Sequence, residues 1–258
     1  MRVAFVGKGG SGKSVIAGTM ARMLARRGLK VLALDSDPIP GLSISLGLGP
    51  LTEPMLQDAA IKDPDGRWRL KKGIGPARAV QRYSVAAPDG VRLLQWGKAT
   101  ADGLAPVMGS LNAFMQVIHR LARERVLQGW TIVGDLPAGP RQAAFGWAPY
   151  ASTYLIVVEP TWQSVLSGRR IARIARARNA PAVLAVANKV THTSQVEAIA
   201  QRSGEQLIAT VPADPAVVDA DRHGAALLDH APGSPAAGAI EALADVLERA
   251  TSSREEKQ

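Results

Sequence analysis

Residues 2–14 read RVAFVGKGGSGKS, and the fold is decided by how this stretch is read. Val3-Ala4-Phe5-Val6 is a short apolar run of the kind that forms a buried strand. It runs straight into Gly7-Lys8-Gly9-Gly10-Ser11-Gly12-Lys13-Ser14, which fits the phosphate-binding pattern G-x-x-x-x-G-K-[ST] in full. Glycines in such a loop let successive backbone N–H groups turn inward around phosphate oxygens, where side chains would block close approach. Gly9, Gly10, Ser11, Gly12, Lys13, Ser14 and Val15 are therefore the candidate phosphate cradle. Lys13 would reach the terminal phosphates and the Ser14 hydroxyl would ligate Mg²⁺. Residues 14–27 carry Ile16, Met20, Met23 and Leu24 at helical spacing, so a helix N-terminus adds its dipole to the anion site.

Working outward, the 258 residues suit one large α/β domain, and 47% apolar content with no long low-complexity tract reads as globular. The first strand begins at residue 2, which leaves no room for a signal peptide, and no apolar run is long enough to span a bilayer. Cysteine is absent, which excludes disulfides, thiolate zinc sites and cysteine-held iron–sulfur clusters. A cytoplasmic location is expected. The formal charge of +9 favours acidic partners, and makes nucleic acid a candidate partner through the basic face. The same excess also fits solvated arginines on amphipathic helices, at Arg22, Arg26 and Arg27 and again at Arg169, Arg170, Arg173, Arg176 and Arg178.

After the first helix, with Gly28 as its stop, residues 30–34 form a second buried strand and complete a βαβ unit. That strand delivers Asp35-Ser36-Asp37-Pro38. Ligands bind at the carboxyl ends of such strands, so both carboxylates should face the phosphate loop, to hold the metal shell or orient an attacking water. Residues 50–106 lose the pattern apart from short β-like pieces at 83–87 and 91–96, and with their basic cluster (Arg67, Arg69, Lys71, Lys72, Arg78, Arg82) they read as a loop-rich insertion on the main domain. Residues 111–128 are helical. Residues 130–134 form a strand ending in Asp135, the Walker B arrangement for Mg²⁺, and Gly139 follows with a backbone N–H able to approach a γ-phosphate. Further strands are expected at 153–158, 182–187 and 207–211. Asn188-Lys189 follows one of them, and the Asn amide suits the donor and acceptor edge of adenine. Thr191 stands where a guanine-specific loop has an aspartate, so ATP is preferred over GTP. His119, His192, His223 and His230 form no cluster in the sequence and are read as structural.

The motif KGGSGKS resembles the deviant Walker A of the MinD/ParA/nitrogenase-iron-protein superfamily. The resemblance implies a P-loop NTPase three-layer sandwich, with a mostly parallel central sheet and helices on both faces. It implies ATP and Mg²⁺ as cofactors and a homodimer bridged by ATP. Lys8 would reach the partner's nucleotide, and Asp37 would carry hydrolysis with Asp35 in support. Gly139 would belong to switch II, with Arg141, Phe145 and Trp147 on its continuation. Pro212 and Asp214 would line the adenine pocket, and Asp219, Asp221 and Gly224 match a helix-opening pattern after it. The implied catalytic set is thus Lys8, Lys13 and Asp37, and the metal set Ser14, Asp35, Asp37 and Asp135. Ile39-Pro40-Gly41-Leu42 departs from the polar residue usual in that switch.

The segments LALDSDP, RLLQWGKATADG, GDLPAG, VVEPTWQS, ANKV and ADRHGAALLD are also similar in order to the CooC-type ATPases of CO-dehydrogenase maturation. That family holds metal with a C-x-C pair where this chain has Leu104-Ala105-Pro106-Val107-Met108. A thioether and a proline do not replace a thiolate pair, so metal delivery through that site is not supported. The expected function is an ATP-dependent switch acting on an unknown protein client. A DNA-binding positioning ATPase and a nucleotide sensor with little turnover are the alternatives. The C-terminal tail is mixed in charge and short of large apolar residues, so no membrane anchor is expected there.

Overall fold

Strand β1 (Arg2–Gly7) sends alternate side chains to two faces, and both are buried. Ala4 and Val6 enter one apolar layer, Val3 and Phe5 the other. The computed structural model describes residues 1–39, 41–51, 53, 55–97, 107–140, 146–177 and 182–255. Around β1 lie β2 (Val31–Asp35), β5 (Val85–Ala86), β6 (Arg92–Gln95), β7 (Thr131–Asp135), β8 (Thr153–Val158), β9 (Val183–Val190) and β10 (Leu207–Pro212), after a separate hairpin of β3 (Ala60–Lys62) and β4 (Trp68–Leu70). The sheet order is β10-β9-β8-β1-β7-β2-β6-β5, parallel throughout except for β5 against β6. All carboxyl ends from β2 to β10 therefore point the same way, toward the loop after β1. This is the three-layer α/β sandwich with a mostly parallel sheet that the sequence predicts.

Helices α1 (Lys13–Arg26), α2 (Leu42–Ser45), α3 (Pro76–Tyr83), α4 (Met108–Leu121), α5 (Trp162–Ala177), α6 (Thr193–Ser203), α7 (Pro215–Arg222), α8 (Leu227–His230) and α9 (Pro235–Glu255) complete the frame. On one face Phe114, Val117 and Ile118 of α4 join Val165 and Ile171 of α5 over the sheet. On the other, Ile16, Met20 and Leu24 of α1 pack with Ile240, Leu243 and Leu247 of α9. These are apolar stripes at a 3.6-residue period, as the sequence spacing required.

The stretch 50–106 departs from the expected insertion. Arg92–Gln95 is not peripheral: β6 pairs in parallel with β2 and forms part of the central sheet. The β-like piece expected at 91–96 is thus a strand, but only Leu93 and Leu94 of its four residues are apolar, too short a run to announce a place in the central sheet. What lies outside the sheet is the β3–β4 hairpin and α3. Gln116 of α4 holds the hairpin, accepting from Leu70 N and donating to Trp68 O. The basic cluster is also partly neutralised locally: Arg69 pairs with Asp63 at 2.8 Å, and Arg67 lies 3.7 Å from Asp65. Residues 98–106, 141–145 and 178–181 carry the Leu104–Pro106 departure, Arg141, Phe145 and Arg178; these lie outside the described residues.

One charged side chain ties α1 into the fold. Arg22 is buried on α1 and donates to Asp89 at 2.6 Å and to both oxygens of Asp229 at 2.7 and 2.8 Å. Burial works against the ionised form of Asp89, but hydrogen bonds from Arg22 and Arg26 outweigh it and hold the carboxyl below its ordinary range. A depressed carboxylate contributes stability that is complete above the unfolded pKa and is lost as pH falls through the folded one. Replacing Arg22 by Met leaves Asp229, half in water, without its guanidinium and Asp89 with Arg26 alone at 3.0 Å; the expected loss is about 2 kcal/mol at neutral pH. The deficit should shrink as pH falls below about 4, the ordinary aspartate range, and through the depressed pKa of Asp89. Urea unfolding of both proteins at neutral and acid pH measures it, and an equal deficit at both would contradict this account.

Candidate nucleotide site

The loop after β1 is shaped by backbone rather than side chains. Gly10 and Gly12 have φ of +76° and +92°, which other residues rarely adopt. At Gly12 a Cβ would lie 2.2 Å from Asn188 Nδ2, so only glycine fits. Lys13 opens α1, is buried, and its Nζ donates to Lys8 O at 3.3 Å, so the ammonium curls back over the loop. Ser14 Oγ donates to Asp135 Oδ2 at 2.5 Å.

Asp35 and Asp135 are partners in register at the ends of adjacent strands. Burial raises the pKa of Asp35, and the charge of Asp135 raises it further against two backbone hydrogen bonds. Burial raises Asp135 as well, and Lys13 and Ser14 only partly offset it. The two acids have different duties. Asp35 accepts from Asp37 N and Leu42 N, each at 3.0 Å, so both its oxygens brace the switch loop and the start of α2. The sequence placed Asp35 among the metal ligands; here its carboxylate is spent on backbone. Asp135 Oδ1, by contrast, is buried with no hydrogen-bond partner among the described residues. A buried carboxylate oxygen without a donor, beside a serine hydroxyl and a lysine, fits a hard divalent cation such as Mg²⁺. Asp37 is half-buried, and its Oδ1 accepts from Ile39 N at 2.9 Å in a tight turn.

A cavity of about 450 Å³ opens beside the loop. It is lined by Gly10, Gly12, Lys13, Ser14 and Val15, by Asn188 and Lys189, and by Pro212 and Asp214. Sequence-distant candidates therefore meet at one place. Several of their side chains do work that the sequence did not suggest. Asn188 and Lys189 lie at the end of β9 rather than after it. Asn188 Nδ2 donates to Ser11 O at 2.7 Å, and Lys189 Nζ donates to Gly10 O at 2.6 Å, so both brace the phosphate loop. Asp214 caps α7 through Ala216 N and also accepts from Ala236 N of α9, both at 2.9 Å. Gly139 N–H is likewise bonded to Gly7 O at 3.0 Å. Val217, Val218, Asp221 and Ile240 complete the far wall. Sequence reading missed the valines and Ile240, because an apolar residue on a helix signals core as readily as a pocket wall. Asp219 and Asp221 sit in the last turns of α7, with Gly224 beyond its end, so they close a helix rather than open one.

Lys8 stands apart from Lys13. It projects to the rim with 37% of its side chain exposed, and its Nζ lies 4.0 Å from Glu159 Oε2. Glu159 Oε1 accepts from Lys189 at 2.6 Å, so one carboxylate lies between two lysines. The histidine reading needs a correction as well. His223 and His230, seven residues apart on different helices, stack with ring centroids 5.4 Å apart, and both contact Asp219. The sequence hid this because the turn between α7 and α8 creates the proximity.

The family model described as the CobQ/CobB/MinD/ParA nucleotide binding domain matches residues 3–228. The chain is similar to the carbon monoxide dehydrogenase accessory protein CooC of Rhodospirillum rubrum, 26% identical over 247 residues that cover 90% of this chain and 91% of that protein. Among solved structures it resembles a ParA family ATPase from Chlorobium tepidum, with TM-score 0.72 and 21% identity over 94% of this chain and 96% of that one. It also resembles the septum site-determining protein MinD of Pyrococcus horikoshii complexed with Mg-ADP, with TM-score 0.71 and 18% identity over 97% and 96%. A phosphate loop on a buried strand, an acid at the end of the neighbouring strand and a family match over most of the length agree: the chain belongs to the CobQ/CobB/MinD/ParA family of nucleotide-binding domains.

Proposed function

We propose that the protein is an Mg-ATP-dependent switch ATPase that closes as a homodimer around ATP and uses hydrolysis to mature or assemble a client protein. The observation that carries this reading is the split between the two lysines of one loop. Lys13 is buried over its own cradle, whereas Lys8 stands at the rim. A rim cation contributes little to phosphate bound in its own subunit, and is well placed to meet phosphate presented by a second copy.

In this reading the loop N–H groups and Lys13 bind the phosphates, and the apolar wall of Pro212, Val217 and Val218 takes the base. Ser14 and Asp135 hold Mg²⁺, which when bound neutralises phosphate charge. Asp37 orients the attacking water, and Lys8 from the second subunit stabilises transition-state charge in the manner of an arginine finger. The client role is supported by the likeness to a dehydrogenase accessory protein. A second reading, a DNA-binding positioning ATPase, is favoured by one feature: Arg169, Arg173, Arg176 and Arg202 line a groove of about 510 Å³ with the exposed Trp162. ATP-dependent DNA binding that weakens steeply with salt would select it.

With a non-hydrolysed ATP analogue, light scattering should report doubled mass, and with ADP the monomer. Unchanged mass with the analogue would sink the dimer reading. Lys8→Ala should keep nucleotide affinity while phosphate release falls by about 10³-fold. No turnover in the unaltered protein, with or without cell extract, would instead favour a nucleotide sensor.

Asp135→Asn removes the charged member of the Ser14–Asp135 pair with little change in size. Mg-nucleotide affinity, read with a fluorescent ATP analogue, should fall at least tenfold, about 1.4 kcal/mol. Chelation of Mg²⁺ should bring the unaltered protein to the same level. A variant that still responds to Mg²⁺ as the parent does would remove Asp135 from the metal site.

A further inference from the structure

The turn between α7 and α8 assembles three potential metal ligands away from the phosphate loop. Asp219 lies in the penultimate turn of α7, His223 caps its C-terminus, and His230 ends α8. One ligand atom from each lies within 4.8 Å of the others. His230 Nε2 is 2.8 Å from Asp219 Oδ2, and His223 Nδ1 is 3.9 Å from Asp219 Oδ1 and 2.8 Å from the Asp219 carbonyl. The imidazoles are stacked, with 23° between their planes.

The backbone that carries these groups is fixed. Gly224 takes φ +61°, its N–H bonds to Asp221 O, and Ala225 N bonds to Ala220 O, the paired hydrogen bonds of a Schellman cap. This cap sets the direction of His223. On the other side Leu227 and Leu228 bury α8 in the core, and the neighbouring Asp229 is clamped by Arg22. The loop entropy of gathering the three ligands is therefore already met by folding, which is the usual obstacle to an incidental surface site.

We propose that Asp219, His223 and His230 form a binding site for one divalent transition-metal ion. Two imidazole nitrogens and one carboxylate oxygen match the borderline preferences of Zn²⁺ and its neighbours, and do not suit Mg²⁺ or Ca²⁺, which favour all-oxygen shells. Tetrahedral bonds of about 2.0–2.1 Å put ligand atoms about 3.3 Å apart. The His230–Asp219 pair needs to open by about 0.5 Å, and His223, whose Nδ1–H is held by the Asp219 carbonyl at 2.8 Å, ligates through Nε2 or gives up that bond. Both histidines are at least partly exposed, which leaves room for these shifts. The fourth position faces solvent and would hold water or a ligand from a partner. Occupancy would fasten α7 to α8. Val217, Val218 and Asp221 of α7 wall the cavity beside the phosphate loop, so the ion would stiffen that wall.

The test uses the tag-free, nucleotide-free full chain in excess Mg²⁺, with Zn²⁺ added in a calorimeter and Co²⁺ followed by its visible absorption. The expected result is one Zn²⁺ per chain, a Co²⁺ spectrum of an N/O-ligated ion, and a raised melting temperature with Zn²⁺. His223→Ala and His230→Ala should each weaken binding by roughly tenfold or more, and Asp219→Asn should weaken it too. His192→Ala should leave it unchanged. Melting without metal verifies that each variant is folded. No Zn²⁺ uptake, or uptake unaltered in the folded His223→Ala/His230→Ala double variant, overturns the proposal and leaves the three groups as a surface hydrogen-bond cluster.

Discussion

Two acids in register under the phosphate loop set the terms for the rest of the site. Asp35 and Asp135 end adjacent parallel strands, and both are buried. Burial pushes each toward the neutral form, with the charge of Asp135 adding to it at Asp35 and that of Asp37 at Asp135, so these acids stay charged only where cations or donors are supplied. The fold supplies them unequally. Asp35 receives two backbone N–H groups, which makes it a brace for the loop that follows β2. Asp135 receives one hydroxyl from Ser14 and the nearby charge of Lys13, and keeps one oxygen bare. That asymmetry separates a carboxylate spent on backbone from one with an oxygen free to take a ligand, although both stand at the end of a buried strand.

The frame around this pair was legible in the sequence because its signals are local and strong. The apolar run of β1, the glycine loop and the amphipathic α1 are contiguous, and both acids are announced by the strands before them. What stayed hidden has a common cause: it depends on where distant segments meet. Strand β6 carries four residues and reads as a fragment until β2 accepts it as a neighbour. Asn188 and Lys189 read as base contacts, yet their amino groups reach the carbonyls of Ser11 and Gly10. Asp214 reads as a pocket residue and does line the cavity, but its carboxylate joins the starts of α7 and α9. In each case residue type and position were visible, and the partner was not.

Asp214 also shows how the pocket wall is tied to the core. Burial disfavours its ionised form, but the backbone donors of α7 and α9 prevail and hold its carboxyl below the ordinary range. Charge at a helix N-terminus is stabilising, and here one carboxylate serves two helices. Helix α9 packs against α1, with Arg27 of α1 paired to Asp245 at 2.7 Å and to Glu248. The cavity wall that carries Asp214 and the helix that follows the phosphate loop are therefore parts of one connected unit.

The contrast between the two lysines at Glu159 shows how firmly each is held. Lys189 has φ +57°, a left-handed conformation that costs a non-glycine residue about 1 kcal/mol or more. Its ammonium makes two 2.6 Å contacts, to Gly10 O and Glu159 Oε1, and these offset the strain. Among the described residues Lys8 has only the 4.0 Å approach to Glu159 Oε2, at a partly exposed position. A pair at that separation is worth about 1 kcal/mol in a water-like dielectric, less the entropy of fixing the chain. Lys189 is thus a fixed strut of the phosphate loop. Lys8 can exchange its carboxylate for a more highly charged anion at a cost of about 1 kcal/mol, which a phosphate contact exceeds.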